Sequence, residues 1–221
     1  IEELLDHHVL PIAAYLPHPI LKLIVEHTAD KRRPSNFTQA TIIFVNLIGI
    51  TEHIDTLENT QTEILITSLS EIFAHINAVV ETQNGVLKKM TCNTYGSDLM
   101  IFFGVPYSFA DNALRAAETV LQVRHIVAQY SEQLAAENLD LKCQIGLSSG
   151  FVFAAEIGSQ VERREYNVVG DAVNTAARLA SRADANQNEI LLTDHVYFSI
   201  AHKYNCPIVD ERAGFKGKSQ R

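Results

Sequence analysis

Cysteine is scarce in this chain of 221 residues: Cys92, Cys143 and Cys206 are the full complement, scattered and odd in number. That excludes a disulfide-stapled scaffold and reads as reduced thiols in a reducing compartment. No apolar run approaches the roughly 20 residues of a membrane span, and no signal peptide opens the chain. The expectation is therefore a cytoplasmic segment without membrane contact. Positive charge is also in deficit, with 18 Lys and Arg against 26 Asp and Glu, which argues against a nucleic-acid surface. The nine histidines, among them His7, His8, His53 and His75, have no repeated metal-ligand spacing. Adjacent His7 and His8 point apart on a helix, so surface or packing roles are expected rather than zinc binding. Internal repeats and low-complexity segments are lacking too, and because Ile1 stands where a methionine would open a complete chain, a segment of a longer protein is expected.

What is present suffices for one domain with an adequate core. Residues 2–28 carry helical periodicity interrupted by Pro11, Pro17 and Pro19, and the polar run Asp30 to Asn36 reads as a linker. This gives an N-terminal helical segment and linker over 1–37 and a domain over 38–221. Within the domain the patterns predict a strand at 41–47, a helix at 60–82, a strand hairpin at 86–104 and a helix at 109–136. Strands near 141–148, 151–156 and 189–193 follow. The order β-α-β-β-α-β is that of an α/β (α+β) ferredoxin-like core.

The most informative stretch is EYNVVGDAVNTAARL, residues 165–179, which reads as strand, glycine turn and helix. Asn174 and Arg178 lie four residues apart, hence on one helical face. Asp171 is placed to cap that helix, and Val173, Ala176, Ala177 and Ala180 form an apolar stripe to hold it on a sheet. A planar guanidinium suits phosphate oxygens and an amide suits a sugar hydroxyl or a base, so a nucleotide is the natural ligand. Two other signals carry less. GLSSG, 146–150, matches a hydrolase nucleophile elbow, but the strand-like FVFAAEIG follows where a helix is required, placing Ser148 in a hairpin. Glu156, Glu162 and Glu165 with Arg163 and Arg164 read as a solvated charge cluster.

The segments TIIFVNLIGIT (41–51), NGVLKKM (84–90), DLMIFFGVP (98–106), IGLSSGFVFAAEIG (145–158) and the stretch above occur in an order that resembles the catalytic domain of class III adenylyl and guanylyl cyclases. The resemblance runs from about Thr41 to Thr193, with a weaker echo in GFKGK near the end. It is most similar to the second domain of tandem soluble-type adenylyl cyclases, which lacks metal ligands. In that family two domains pack head to tail, and one supplies two aspartates for magnesium or manganese. The resemblance puts Asn46 and Ser97 at those two positions, with Asp98 a possible substitute if a bulge at Gly96 turned it inward. The domain lacking metal ligands supplies the other half: Lys89 and Asn167 for the base, Asn174 for the ribose and Arg178 for the phosphates. If the register runs strictly back from Ser97, Asn93 takes the lysine position instead. Lys216 and Lys218 match a segment that approaches the polyphosphate, or are a solvated basic tail.

The resemblance thus implies a head-to-tail dimer with a second cyclase homology domain. ATP or GTP is the ligand, the metal site is completed by the partner, and no ion binds tightly to this chain alone. The chain is expected to be inactive by itself, and either to complete an adenylyl cyclase site or to act as a catalytically inactive regulatory or dimerisation module.

Overall fold

The computed structural model describes residues 10–26, 36–49, 57–93, 96–159, 163–187 and 189–209. His7, His8, His53, Glu162, Lys216, Lys218 and the linker stretch 30–35 lie outside the described residues, as do the side chains of Cys92 and Asn93. Two short helices, α1 (Leu10–Ala13) and α2 (His18–Glu26), precede strand β1 (Asn36–Ile48) and helix α3 (Asn59–Thr82). Then come the hairpin β2 (Val86–Asn93) and β3 (Gly96–Phe103), and helix α4 (Asn112–Ala135). Strands β4 (Lys142–Gly158) and β5 (Arg164–Val169), helix α5 (Asp171–Ala180), strand β6 (Ile190–Leu192) and helix α6 (Asp194–Ile200) complete the order.

The strands form one six-stranded sheet in the order β2-β3-β1-β4-β5, with β6 parallel to β4. Its first four members and the crossover helices α3 and α4 make the expected βαββαβ unit. Alternation along β1 sends Ile43, Val45 and Leu47 to one face, where they pack with Ile72 and Ile76 of α3, Val123 and Val127 of α4 and Val196 of α6. Ala40 and Ile42 point the other way, into a smaller cluster with Phe102, Val152 and Val168, closed by Ala172 and Ala176 of α5 and Ile20 of α2. Each fully buried Ile or Phe contributes about 1.5–3 kcal/mol, and both clusters draw on β1, so the sheet lies between two helical layers.

Local chemistry sets the element ends. Asn84 takes a left-handed φ of 59°, and Gly85 N donates to Val80 O at 2.8 Å. The pair ends α3 and turns the chain into β2. By length and composition alone α3 could cross a membrane, which counting uninterrupted apolar runs did not anticipate. Leu65, Ile72, Ile76 and Val80 seat it on the sheet.

The structure corrects the sequence reading in four places. Strand β1 starts at Asn36, paired with Ala154, rather than at 41. The two strands expected at 141–148 and 151–156 are one 17-residue strand, β4. Ser149 and Gly150 stay in the ladder opposite Thr41 and Ala40, so Ser148 is mid-strand, in neither a hairpin nor an elbow. Gly170, not Asp171, holds the cap position of α5. Helix α6 was not foreseen, its Asp194–Ile200 run being only 7 residues long.

Candidate nucleotide site

Helix α5 rests on β4 at backbone distance. A Cβ built on Gly146 would stand 2.1 Å from Ala176 O and 2.4 Å from Ala180 N, so only glycine permits this approach. The buried side of α5 is Ala172, Thr175, Ala176, Leu179 and Ala180. The seated face is therefore rotated from the expected stripe, with Val173 and Ala177 only half-buried. Asn174 and Arg178 are on the opposite, exposed side, their Cβ atoms roughly 5–6 Å apart by helix geometry. Asp171 in the first turn and Arg178 in the last also complement the helix dipole. The support is thus rigid, and both groups are presented at the surface.

A second constellation joins the two ends of the sheet. β2 and β5 are four strand spacings apart along the sheet order, roughly 19 Å if the sheet were flat. Lys88 Nζ nonetheless donates to Asn167 Oδ1 at 2.5 Å and lies 3.1 Å from Glu165 Oε1, so the sheet curls until its ends meet. Val168 N donates to the same Asn167 oxygen at 3.0 Å. The hydrogen bond from Lys88 holds the Glu165 carboxyl below its ordinary range against a smaller opposing effect of burial, and the charges of Lys88, Lys89 and Arg163 add to it.

Lys88, not Lys89, therefore meets Asn167. The β2–β3 register slips between Leu87 and Lys89, and this bulge re-aims Lys88. Lys89 is opposite Met100 and exposed, while Asn93 is opposite Gly96 at the hairpin end. Spacing from Gly85 singled out Lys89, and alternation cannot show that a bulge brings its neighbour Lys88 to Asn167 instead.

The third grouping lies at the other end of β1. Asn46 is directly opposite Asp98 on β3 and Gln144 on β4, and Asp98 is opposite Thr91 on β2. Directly opposed residues share a face. Ser97 is paired with Leu47 instead and is buried with it on the core side. Asp98 reaches the Asn46 face by plain alternation; the slip in β2–β3 pairing lies elsewhere, at Leu87/Lys89. Gly96 contributes differently: its φ is +147°, and a Cβ there would stand 2.4 Å from Leu47 O. The row Thr91, Asp98, Asn46, Gln144 holds a single carboxylate, and Gln144 Nε2 is already donated to Ala183 O. Hard divalent cations are held by several anionic oxygens, so these residues do not fit a pair of such ions. Among the described residues no group of three or more His, Cys, Asp or Glu side chains could hold a metal.

The remaining polar signals resolve as structure. His75 Nδ1 lies 3.0 Å from Tyr130 Oη, and that hydroxyl donates to Glu71 Oε2 at 3.0 Å. His75 and Tyr130 also line a cleft of about 460 Å³ with Gln129, Glu132 and Gln133, carried by α3 and α4 on the sheet face away from α5. Arg164 pairs with Glu156 across the β4–β5 ladder at 3.4 Å.

Comparison with known proteins places this geometry in context. A sequence model described as the adenylate and guanylate cyclase catalytic domain matches residues 33–220. An adenylate cyclase of Mycobacterium tuberculosis is 29% identical over 197 residues, covering 88% of this chain and 39% of its own length. An uncharacterised protein of the same organism is 28% identical over 173 residues, covering 76% of this chain and 29% of its own. The chain thus spans well under half the length of these curated relatives. Among solved structures, the adenylyl cyclase CyaB from P. aeruginosa superposes with a TM-score of 0.73 at 24% identity, covering 85% of this chain and 92% of that one. The guanylyl cyclase Cya2 does so with a TM-score of 0.65 at 24% identity, covering 76% and 80%. Both likenesses carry the fold.

Proposed function

The chain belongs to the adenylate and guanylate cyclase catalytic-domain family, and from that premise we propose that it is the nucleotide-contributing half of a cyclase site, converting ATP to cyclic AMP and pyrophosphate only when paired with a metal-binding second domain. The observation that carries this reading is the exposed pair Asn174 and Arg178 on a helix seated on bare glycine backbone. Both side chains lie off the buried side of α5, and a ribose and a phosphate would use both.

In the reaction the ribose hydroxyl attacks the α-phosphorus, and a new P–O bond forms as the bond to the pyrophosphate oxygen breaks. Asn174 orients the ribose so that the hydroxyl meets the phosphorus in line. Arg178 stabilises the negative charge that builds on the phosphate oxygens, where a fixed guanidinium is worth more than solvent. Asn167 faces the base. Domains of this family use magnesium or manganese, and in this proposal both carboxylates for the ions stand on the second domain. Lys216 and Lys218 are proposed to approach the polyphosphate.

A head-to-tail partner also agrees with the apolar surface of the strand extension. Phe37 and Phe151 stack at a centroid distance of 5.3 Å and are exposed along with Phe153 and Val169. A row of exposed aromatics on paired strands suits a docking surface better than solvent.

Cyclic-nucleotide formation from ATP and GTP, with magnesium or manganese, is the test. The chain alone is expected to be silent and a mixture with a metal-competent sister domain active. The missing carboxylate pair equally suits a regulatory pseudo-cyclase. Silence of both the chain and the mixture, with association retained, supports that second reading and overturns the first.

A further inference from the structure

We propose that Lys88 and Glu165 are positioning residues that fix Asn167 as a hydrogen-bond donor toward the base, so that this site selects for an acceptor on the base edge. The inference rests on the nucleotide-binding reading above. An ammonium can only donate, so the Asn167 atom 2.5 Å from Lys88 Nζ is the amide oxygen. Val168 N, also purely a donor, meets that oxygen at 3.0 Å. An amide oxygen has two lone pairs, and both are occupied. What the side chain has left to offer a ligand is Nδ2 with its two hydrogens.

Lys88 is held in turn. Its side chain is only 10% exposed, and its second contact is Glu165 Oε1 at 3.1 Å. A nearly buried ammonium without a counter-charge is strongly disfavoured, so Glu165 keeps Lys88 in place and Lys88 keeps the amide from rotating. Lys88 is thereby committed to Asn167 and is not a reader of the base. The polarity is the reverse of what a carboxylate at position 167 would present, which is acceptors alone. Adenine N1 and guanine O6 are edge acceptors that match the remaining Nδ2 donor.

Calorimetric titration of the chain with ATP, GTP and 1-deaza-ATP, which lacks the N1 acceptor, tests this. Deleting one such hydrogen bond should weaken binding roughly ten-fold, so ATP should bind about that much more tightly than 1-deaza-ATP. Asn167→Asp keeps the side-chain size and the Lys88 contact but cannot donate. It should weaken whichever of ATP and GTP binds better by a similar factor and abolish the difference between ATP and its deaza analogue. Lys88→Met should shrink that difference and Lys88→Arg restore it, which a merely structural lysine would not do. Equal binding of ATP and 1-deaza-ATP by the unsubstituted chain overturns the inference, as does ATP binding that survives or tightens in Asn167→Asp. If Lys88→Met does not fold, those two comparisons decide. Failure of the unsubstituted chain to bind either nucleotide, both alone and when paired with a metal-competent second domain, overturns the nucleotide reading itself, a result distinct from nucleotide binding that ignores the base edge.

Discussion

Asn46 and Asp98 are directly opposed on β1 and β3, on one face of the sheet, while Ser97 turns into the core opposite Leu47. An amide therefore faces the carboxylate at the position where the domain could most simply be given a second anionic ligand. Asn46→Asp should create an opposed carboxylate pair and with it a measurable affinity for manganese, read by electron paramagnetic resonance. Asn46→Asp combined with Asp98→Asn should lose it again. Like charges directly across strands destabilise by roughly 0.2–1 kcal/mol, so the metal-free variant should unfold slightly earlier. Manganese binding by Asn46→Asp that persists without Asp98 would show that the two side chains do not act together.

Arg178→Ala in a mixture with a metal-competent domain should lower cyclase activity by about a hundred-fold or more, the usual effect of removing one transition-state charge partner. The fold should persist, with a stability loss that includes the roughly 0.3–1 kcal/mol of a helix-dipole interaction. Retained activity would move the role of this chain to regulation.

Gly146→Ala tests the seating of α5. The added methyl meets backbone atoms at 2.1 and 2.4 Å, which no rotamer relieves, so a loss of about 1–3 kcal/mol is expected from overpacking. Chemical denaturation gives the stability. A nucleotide titration should show weakened binding, since Asn174 and Arg178 ride on the displaced helix. Wild-type stability would mean that α5 stands off the strand.

Glu165 has a carboxyl held below its ordinary range, mainly by the hydrogen bond from Lys88. A depressed folded-state value means that the ionised form is favoured by folding. The stabilisation is complete above the unfolded value, near the ordinary carboxyl value of 4.5, and is lost as pH falls through the lower folded value. The stability difference between wild type and Glu165→Gln should therefore be constant around neutrality and shrink below about pH 4.5. In a Lys88→Met background that acid dependence should largely vanish. Acid unfolding curves of the four proteins check both statements.

The parts of this fold legible in the sequence are those written by local periodicity. The 24-residue helices α3 and α4 carry long 3.6-residue patterns, and the hairpin at Gly96 and the pair Asn174 and Arg178 follow from short-range signals. What escaped is set by pairing between distant segments. Ser149 and Gly150 look like a turn, yet β1 opposite keeps them extended, and the hydroxyls of Thr41 and Ser149 bond at 2.8 Å. The bulge that selects Lys88 over Lys89 is a property of two strands, as is the partnership of Lys88 with Asn167, 79 residues away in the chain. That Asn46 faces Asp98 required the register between strands separated by α3, which alternation along either strand cannot supply.

The length of β4 has a mechanical meaning. Its first part, from Lys142 to Ala154, is bonded to β1, while from Ala155 to Gly158 its ladder partner is β5 alone. One uninterrupted strand thus runs from beneath α5, past the exposed Phe151 and Phe153, out to the overhang. A load applied to that overhang by a docking molecule has no hinge in which to dissipate. It is carried along the strand to Gly146, where the backbone of α5 is in direct touch, so that the far end of β4 and the helix carrying Asn174 and Arg178 form one rigid lever.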